Sequence, residues 1–400
     1  MNERTTCCIA GGGPAGVMLG FLLARAGVEV TVLEKHKDFF RDFRGDTIHP
    51  STLEVMYELG LLEDLLRQPH DELRGIEAHF GDRVMHLADL THLPTHCKFI
   101  AFMPQWDFLN FLSRHAEKFP QFRLRMGTEV TDVLLENGRI AGVKASTLEG
   151  TLELRADLVV AADGRSSTVR ERAGLERIDL GAPIDVLWFR VAKKAGDPPQ
   201  AFGFVGAGQF MVLIDRSDYW QCAYVIRKGS FEERQRRGLE AFHAEITNCA
   251  AFLADRTAEI AQWDDVKLLT VKVNHLRTWY REGLLCIGDA AHAMSPVGGV
   301  GINFAIQDAV ATANLLAPKL RNGAVRLSDL KAVQDRREWP VKMIQRAQVF
   351  LHKHFLERVF DSPVIIPPPL LLNMTEKFPW LRRIPARMVG MGFRPEHVER

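Results

Sequence analysis

Cys7-Cys8-Ile9-Ala10-Gly11-Gly12-Gly13-Pro14-Ala15-Gly16 decides how the rest of the chain is read. The run from Thr5 to Ala10 predicts a short buried strand. Gly11, Gly13 and Gly16 have G-x-G-x-x-G spacing, and an apolar helical pattern follows from Ala15 to Ala26, with Gly27 placed as its C-cap. A second apolar strand, Val28 to Leu33, ends in Glu34, 23 residues beyond Gly11. A glycine triplet alone is weak evidence. Strand, turn, helix, strand and terminal acid in this order make a βαβ unit that binds a dinucleotide. Gly11 permits the tight turn, Gly13 lets backbone approach a pyrophosphate, and Gly16 lets helix and strand pack closely. The helix N-terminus offers free N–H groups and the positive end of its dipole to the phosphates. Glu34 is the acceptor for ribose hydroxyls. An acid there, in place of Arg, argues against a 2′-phosphate and leaves FAD or NAD.

Size and composition narrow the class. Four hundred residues make two to three domains' worth of chain, and 46% hydrophobic with 25% charged residues is ordinary globular composition. A formal net charge of +1 gives no global electrostatic case for nucleic acid or an anionic surface. The six cysteines form no C-x-x-C and show no metal spacing with histidine, so no metal is expected and the chain reads as cytoplasmic. Met1 to Arg4 run straight into a strand, which fits no signal peptide. No run of 18 apolar residues predicts a spanning helix.

Further along, Arg44 lies in a loop beside the βαβ unit, within reach of ribose or phosphate oxygens. A helix is predicted from Pro50, capped by Ser51 or Thr52. Short strands follow over residues 73 to 104, then a helix opening at Gln105. Arg123 to Val133 and Arg139 to Ala145 form a hairpin around Glu136-Asn137-Gly138. The continuous apolar strand Ala156 to Ala162 ends at Asp163-Gly164, and Ser167 starts a helix carrying Arg170. Ligands in such folds bind beyond the carboxyl ends of strands, so Asp163 is aimed at the crevice of Gly11 to Gly16. From Ile184 to Lys228 the strands are longer and aromatic-rich, an antiparallel sheet inserted in the nucleotide-binding domain, followed by helices over about 232 to 262 and a strand from Leu268 to Val273.

A second anchor runs from Gly283 to Asn303. Its short strand ends at Gly288-Asp289, and Gly299 or Gly301 opens a helix through Leu316. Asp289 suits a sugar-alcohol hydroxyl, the glycines let a flat ring lie on backbone, and the helix N-terminus stabilises negative charge on that ring. His292 has no paired acid in sequence and reads as structural. The tail from 346 to 400 mixes apolar and basic residues, and a helix packed on the core is the favoured reading.

Three motifs in this order resemble the single-component FAD monooxygenases related to para-hydroxybenzoate hydroxylase, over roughly residues 5 to 345. Gly11, Gly13, Gly16 and Glu34 match the family's FAD-ADP fingerprint, and Pro14, Ala15, Lys35 and Val130 are further candidates for cofactor binding. Asp163, Gly164 and Arg170 resemble its Asp-Gly motif, which serves both FAD and NAD(P)H. Gly288 and Asp289 resemble its second motif, with Asp289 on the ribityl chain. Arg44 and Gln105 fall at flavin-contacting positions. Pro296 to Gly301, with Gly299 and Val300, resembles the loop beside the reactive ring, where Pro296, Gly299 and Gly301 are the candidates near the chemistry; Ile302 and Asn303 are further candidates for cofactor binding.

The resemblance implies an α/β fold. A discontinuous Rossmann-like FAD-binding domain (1–72, 100–180 and 270–345) carries an inserted antiparallel-sheet substrate domain (73–99 and 181–269), with a helical tail at 346–400. It implies reduction of FAD by NADH or NADPH, addition of dioxygen, and hydroxylation of an aromatic or polyketide-like molecule by the flavin hydroperoxide. The pocket wall is expected from Trp188, Arg190, Phe202, Phe210, Met211 and Trp220, and no protein base is identifiable. Partners are a small-molecule substrate and dioxygen, with a homodimer as a further option. There is no second G-x-G-x-x-G for a separate nicotinamide domain and no W-x-W-x-I-P of the related halogenases. A reductase or halogenase of the same fold, or a silent flavin-binding protein, are the alternatives.

Overall fold

The computed structural model describes residues 2–40, 47–198, 203–323 and 325–399; Arg44 and Phe202 lie outside them. The strand Asn2–Ala10 is the middle of an eight-stranded sheet. It pairs in parallel with Val30–Leu33 on one side and with Gly150–Ala161 on the other. Phe122–Arg125 extends the first side. The long strand Gly150–Ala161 divides its outer edge. Its first half pairs antiparallel with Arg139–Thr147, and its last residues pair in parallel with Leu284–Cys286. Cys7, Cys8, Ile9 and Ala10 are each 0% exposed, as a strand covered on both faces must be.

The helix Pro14–Arg25 covers one face, burying Leu19, Phe21, Leu22 and Leu23. Each such side chain contributes about 1.5–3 kcal/mol on leaving water. The close approach depends on Gly20, where an added Cβ would lie 2.8 Å from both the Phe122 ring and Val32. Gly27, at φ +81°, stops the helix as expected. The hairpin turn is also as expected, with Asn137 and Gly138 both at positive φ. Other local expectations are corrected. His49 is the N-cap of the helix Pro50–Glu58, while Ser51 and Thr52 are buried inside its first turn. The strand predicted from Arg123 to Val133 is two strands, because Gly127 at φ +64° turns the chain between them. The strand predicted from Leu268 to Val273 is Lys267–Leu269 only, and the helix from Gly301 continues to Arg321.

A second sheet has seven strands in the order Lys267–Leu269, Ile184–Ala192, Tyr219–Arg227, Gln209–Asp215, Gly203–Gly206, Gly75–Phe80, Arg83–Asp89. All neighbours are antiparallel except Gly203–Gly206 with Gly75–Phe80. Strand alternation splits its side chains. Leu187, Phe189, Met211, Trp220 and Cys222 pack with Phe242 and Ile246 of the helix Leu239–Cys249. Val186, Trp188, Phe210 and Val225 face the other way and pack with Val271, Val297 and Leu356. The helix Leu327–Leu351 passes into a π-helical turn at His352–Leu356. The helix Arg383–Gly390 then buries Ala386 against Leu73, Leu90 and Ile100. No helix among the described residues is long and apolar enough to cross a membrane.

Candidate active site

The phosphate turn is built by contact as well as by conformation. At Gly11, φ is +104° and a Cβ would fall inside the Ala162 carbonyl; at Gly16 it would fall inside the Gly11 carbonyl oxygen. At Gly13 nothing lies within 4 Å, so the turn is open on the one side where a ligand would approach. Gly12, outside the sequence fingerprint, is constrained too: its Cβ would come 2.9 Å from that of Glu34. Glu34 Oε2 accepts from Gly12 N at 2.8 Å and Oε1 from His36 N at 3.0 Å, which fixes the carboxylate at the strand end. Pro14 is the first residue of the helix, where a missing N–H costs nothing. Lys35 is exposed, Gln105 begins the helix Gln105–Ala116, and Val130 is buried opposite Ala145.

The two acidic motifs meet at the same end of the sheet. Asp163 Oδ2 accepts from Val169 N at 3.2 Å, while its Oδ1 is buried without a partner. Burial pushes the Asp163 carboxyl above its ordinary value, against the hydrogen bonds from Ser167 and Val169. Arg165 Nε donates to Asp289 Oδ2 at 3.0 Å, and Arg165 Nη1 is buried without a partner. Arg170 is buried and donates to the carbonyls of Ala290 (3.1 Å) and Arg165 (3.0 Å), so it brackets the two motif loops from beneath. Arg165 is an addition to the expected set. It follows Asp163-Gly164 directly, and only the fold reveals that it faces Asp289.

Behind the second motif lies a buried ionic chain. Asp308 Oδ2 accepts from Gly288 N (3.0 Å) and from His292 Nε2 (2.6 Å), and its Oδ1 accepts from Arg337 Nε (2.9 Å). Arg337 Nη1 continues to Glu396 Oε1 at 3.3 Å and to the Arg394 carbonyl at 3.2 Å. Burial acts to raise the Asp308 pKa, but His292 and Arg337 prevail and hold it below the ordinary carboxylate value. His292 thus has a paired acid that sequence reading misses. The available signal is Gln307-Asp308 within the apolar run Ile302 to Leu316.

The loop before the helix Gly301–Arg321 is held from two sides. Gly298 and Gly299 take φ of +84° and +63°. Thr47 Oγ1 donates to the Gly299 carbonyl at 2.9 Å, and a Cβ on Gly299 would come 2.5 Å from the Thr47 hydroxyl oxygen. Asn303 Oδ1 accepts from His49 N (3.0 Å) and Thr52 Oγ1 (2.6 Å), which makes Asn303 a brace. Val300 and Ile302 are buried, and Pro296 to Gly299 remain partly exposed. No side chain caps the helix N-terminus, so its N–H groups are available to an anion.

Two histidines on this frame give a pH prediction. Burial pushes both His49 and His352 down to about 4. The unfolded chain takes up their protons near the ordinary value of about 6.5, so between these values the unfolded state binds more protons. Stability is therefore expected to fall as pH drops from about 6.5 to about 4, by at most about 1.4 kcal/mol per unit for each group. Urea unfolding midpoints at about pH 7.5 and about pH 5 measure this, and H49Q should flatten the slope.

Of the expected wall residues, the structure brings Trp188 and Phe210 together with Val297 of the loop. Met211 and Trp220 are corrected: both are 0% exposed on the opposite sheet face, among Phe189, Phe242 and Phe252. The alternation of strands puts them there. Arg190 is exposed.

Residues 4–347 match a family model described as an FAD binding domain. The chain is 32% identical over 374 residues to 6-methylpretetramide 4-monooxygenase of Streptomyces rimosus, covering 93% of this chain and 89% of that one. The chain belongs to the FAD binding domain family. Among solved structures, this flavoprotein is similar to p-nitrophenol 4-monooxygenase of Pseudomonas putida, with TM-score 0.79 and 20% identity over 96% of this chain and 97% of that one. It is also similar to anhydrotetracycline hydroxylase of Streptomyces rimosus, with TM-score 0.76 and 21% identity over 97% and 76%. At those identities the likeness is one of fold. The resemblance to single-component FAD monooxygenases is borne out, and the flavoenzyme is a monooxygenase with FAD as its cofactor. Its residues fit that group. The turn is open only at Gly13, a buried carboxylate oxygen and a buried guanidinium nitrogen await partners, and two helices present N-termini. No group of three His, Cys, Asp or Glu among the described residues has metal-site geometry.

Proposed function

We propose that the chain hydroxylates an aromatic, polyketide-like molecule, with NADH or NADPH as reductant and dioxygen as co-substrate. The supporting observation is the 32% identity, across nearly the whole chain, to an enzyme named for monooxygenation of 6-methylpretetramide. Electron uptake and oxygen transfer are supplied by FAD when bound. The chain's residues do the rest. Gly11 to Gly16 and the helix behind them receive the pyrophosphate, Glu34 the adenosine ribose, and Asp289 the ribityl hydroxyls. Arg170 keeps the Asp163 and Asp289 loops at a fixed separation. The uncapped helix at Gly301 stabilises negative charge on the ring. Trp188 and Phe210 supply an apolar wall that excludes water, and the buried, unpartnered Trp188 Nε1 offers a donor to a substrate oxygen. Six free, buried cysteines support a reducing compartment.

The test is the visible spectrum of the purified protein before and after anaerobic NADH or NADPH, alone and with polycyclic phenols. Flavin bands that bleach and return in air, with a hydroxylated product, are expected. Bleaching that air does not reverse would sink the monooxygenase reading. Asp289→Ala is expected to weaken FAD binding about tenfold or more, since it removes a charged acceptor and leaves Arg165 unpaired. Fluorescence titration of the apoprotein measures this, and unchanged affinity would remove Asp289 from the site.

A further inference from the structure

The helix Leu327–Leu351 and the turn that continues it present a stripe of amide and imidazole side chains to one loop. Gln345, Gln348 and His352 are all buried. Gln348 makes three hydrogen bonds to backbone: Nε2 donates to the carbonyls of Ser295 (3.0 Å) and Val297 (3.1 Å), and Oε1 accepts from Ser295 N (3.1 Å). His352 Nε2 lies 3.0 Å from Ser295 Oγ, which also accepts from Val297 N at 3.3 Å. Gln345 Nε2 donates to the carbonyls of Ala293 (3.0 Å) and Asn274 (2.8 Å). The backbone from Ala293 to Val297 therefore takes its register from side chains some fifty residues later. Thr47 and Asn303 hold the loop's other end at the Gly299 carbonyl.

This is a costly way to fill a core. Burying two amides and an imidazole obliges each polar atom to find a partner, and one left without keeps its full desolvation penalty. His352 carries that cost, because its Nδ1 is buried without a partner. Such a stripe favours one defined loop position over maximal stability. The π-helical turn at His352–Leu356 then redirects the same stripe. π-Turns are rare and cluster at functional sites. Phe355 packs edge-on against Phe80 and Phe210, at centroid distances of 6.2 and 6.0 Å. Leu356 joins the cluster that contains Trp188 and Val297. One rigid element thus touches both the loop and the sheet wall.

We propose that Gln348 and His352 are positioning residues that set the Ser295–Gly299 loop against the flavin ring and tie its height to the Trp188–Phe210 wall. This rests on the reading of that loop as the one beside the ring. It predicts an effect on the bound flavin that a packing role alone does not.

The variants are Q348M and H352L, which conserve volume and remove the hydrogen bonds, and H352Q, which keeps a side-chain amide within reach of Ser295. Each is loaded with FAD, and its binding stoichiometry, visible spectrum, flavin fluorescence and bleaching rate by saturating NADPH or NADH are compared with the unaltered holoenzyme. Full FAD loading, an altered spectrum and bleaching slowed about a hundredfold are expected for Q348M and H352L, since misplacement of about 1 Å has that effect on rate. H352Q should recover most of both. Wild-type spectra and rates in the loaded variants would overturn the proposal, as would H352Q behaving no better than H352L. Loss of FAD from a folded variant would also overturn it, because the loop would then be holding FAD instead of placing it. If H352L fails to fold, Q348M decides by the same criteria. Failure of the unaltered protein to take up FAD would instead strike the reading of the site itself.

Discussion

Asp308→Ala is expected to destabilise the protein by about 3–5 kcal/mol, the range for removing one partner of a buried ion pair. The change leaves Arg337, which is 0% exposed, and His292 without their shared carboxylate. It also removes the acceptor of the Gly288 N–H, so the second motif should loosen and FAD affinity fall with stability. Urea unfolding of the apoprotein and FAD titration measure the two effects separately. The double variant D308L/R337M distinguishes the charge from the space it fills. It should recover only part of the stability: the unpaired charge of Arg337 goes with its side chain, while His292 and the Gly288 N–H still lack Asp308 and Glu396 lacks Arg337. It should not recover FAD affinity, because the Gly288 N–H still lacks its acceptor. An Asp308→Ala protein within about 1 kcal/mol of the parent would show that water reaches the site and screens the pair.

Gly13→Ala and Gly16→Ala should part company in the same assays, although both break the same fingerprint. A methyl at Gly16 meets the Gly11 carbonyl oxygen, a backbone atom that moves only if the turn moves. Loss of at least about 1–3 kcal/mol is expected, together with loss of FAD. A methyl at Gly13 meets nothing within 4 Å. Unfolding of that apoprotein should match the parent within about 0.5 kcal/mol, while its FAD affinity falls by about two orders of magnitude as the methyl takes the pyrophosphate's place. Equal FAD binding in Gly13→Ala and the parent would mean that the ligand approaches the turn from another side.

What is legible in the sequence follows from how local the physics is. Gly16, Gly27 and the pair Asn137-Gly138 each answer a constraint set within a few residues and are readable; Gly11 is readable from its turn, though the Ala162 carbonyl that also closes on it is not. Parallel strands buried on both faces are legible too, because an unbroken apolar run such as Leu158-Val159-Val160-Ala161 has no other reading beside a glycine turn. Side-chain direction on the inserted sheet is not. Phe210 and Met211 are neighbours in sequence, yet one faces Val297 and the other Phe242, and a one-residue choice of register decides which. Nor are the braces behind the site. Asp308 with Arg337, and Gln348 with Ser295, are pairs separated by 29 and 53 residues, and a polar stripe such as Gln345, Gln348, His352 reads as a solvated helix face until another element is seen to cover it. The cap at His49 escapes sequence reading because the residue offers no side-chain bond to the helix, and its Nδ1 pairs with the Val389 carbonyl instead.

The six cysteines have a consequence for a catalyst that handles dioxygen. All are free and buried, and burial pushes the thiols of Cys8 and Cys249 up to about 12. The thiolate is the form that attacks peroxide, so these sulfurs are shielded by both access and ionisation. Turnover that leaks hydrogen peroxide should therefore leave the native thiols intact. Reaction of Cys7, Cys8 and Cys286 with a disulfide reagent would then report opening of the central sheet, since Cys7 and Cys8 lie in its middle strand and Cys286 in a strand further out. The protein thus carries its own clock for damage: labelling at these three positions, silent during productive cycling, would start only when the central sheet begins to come apart.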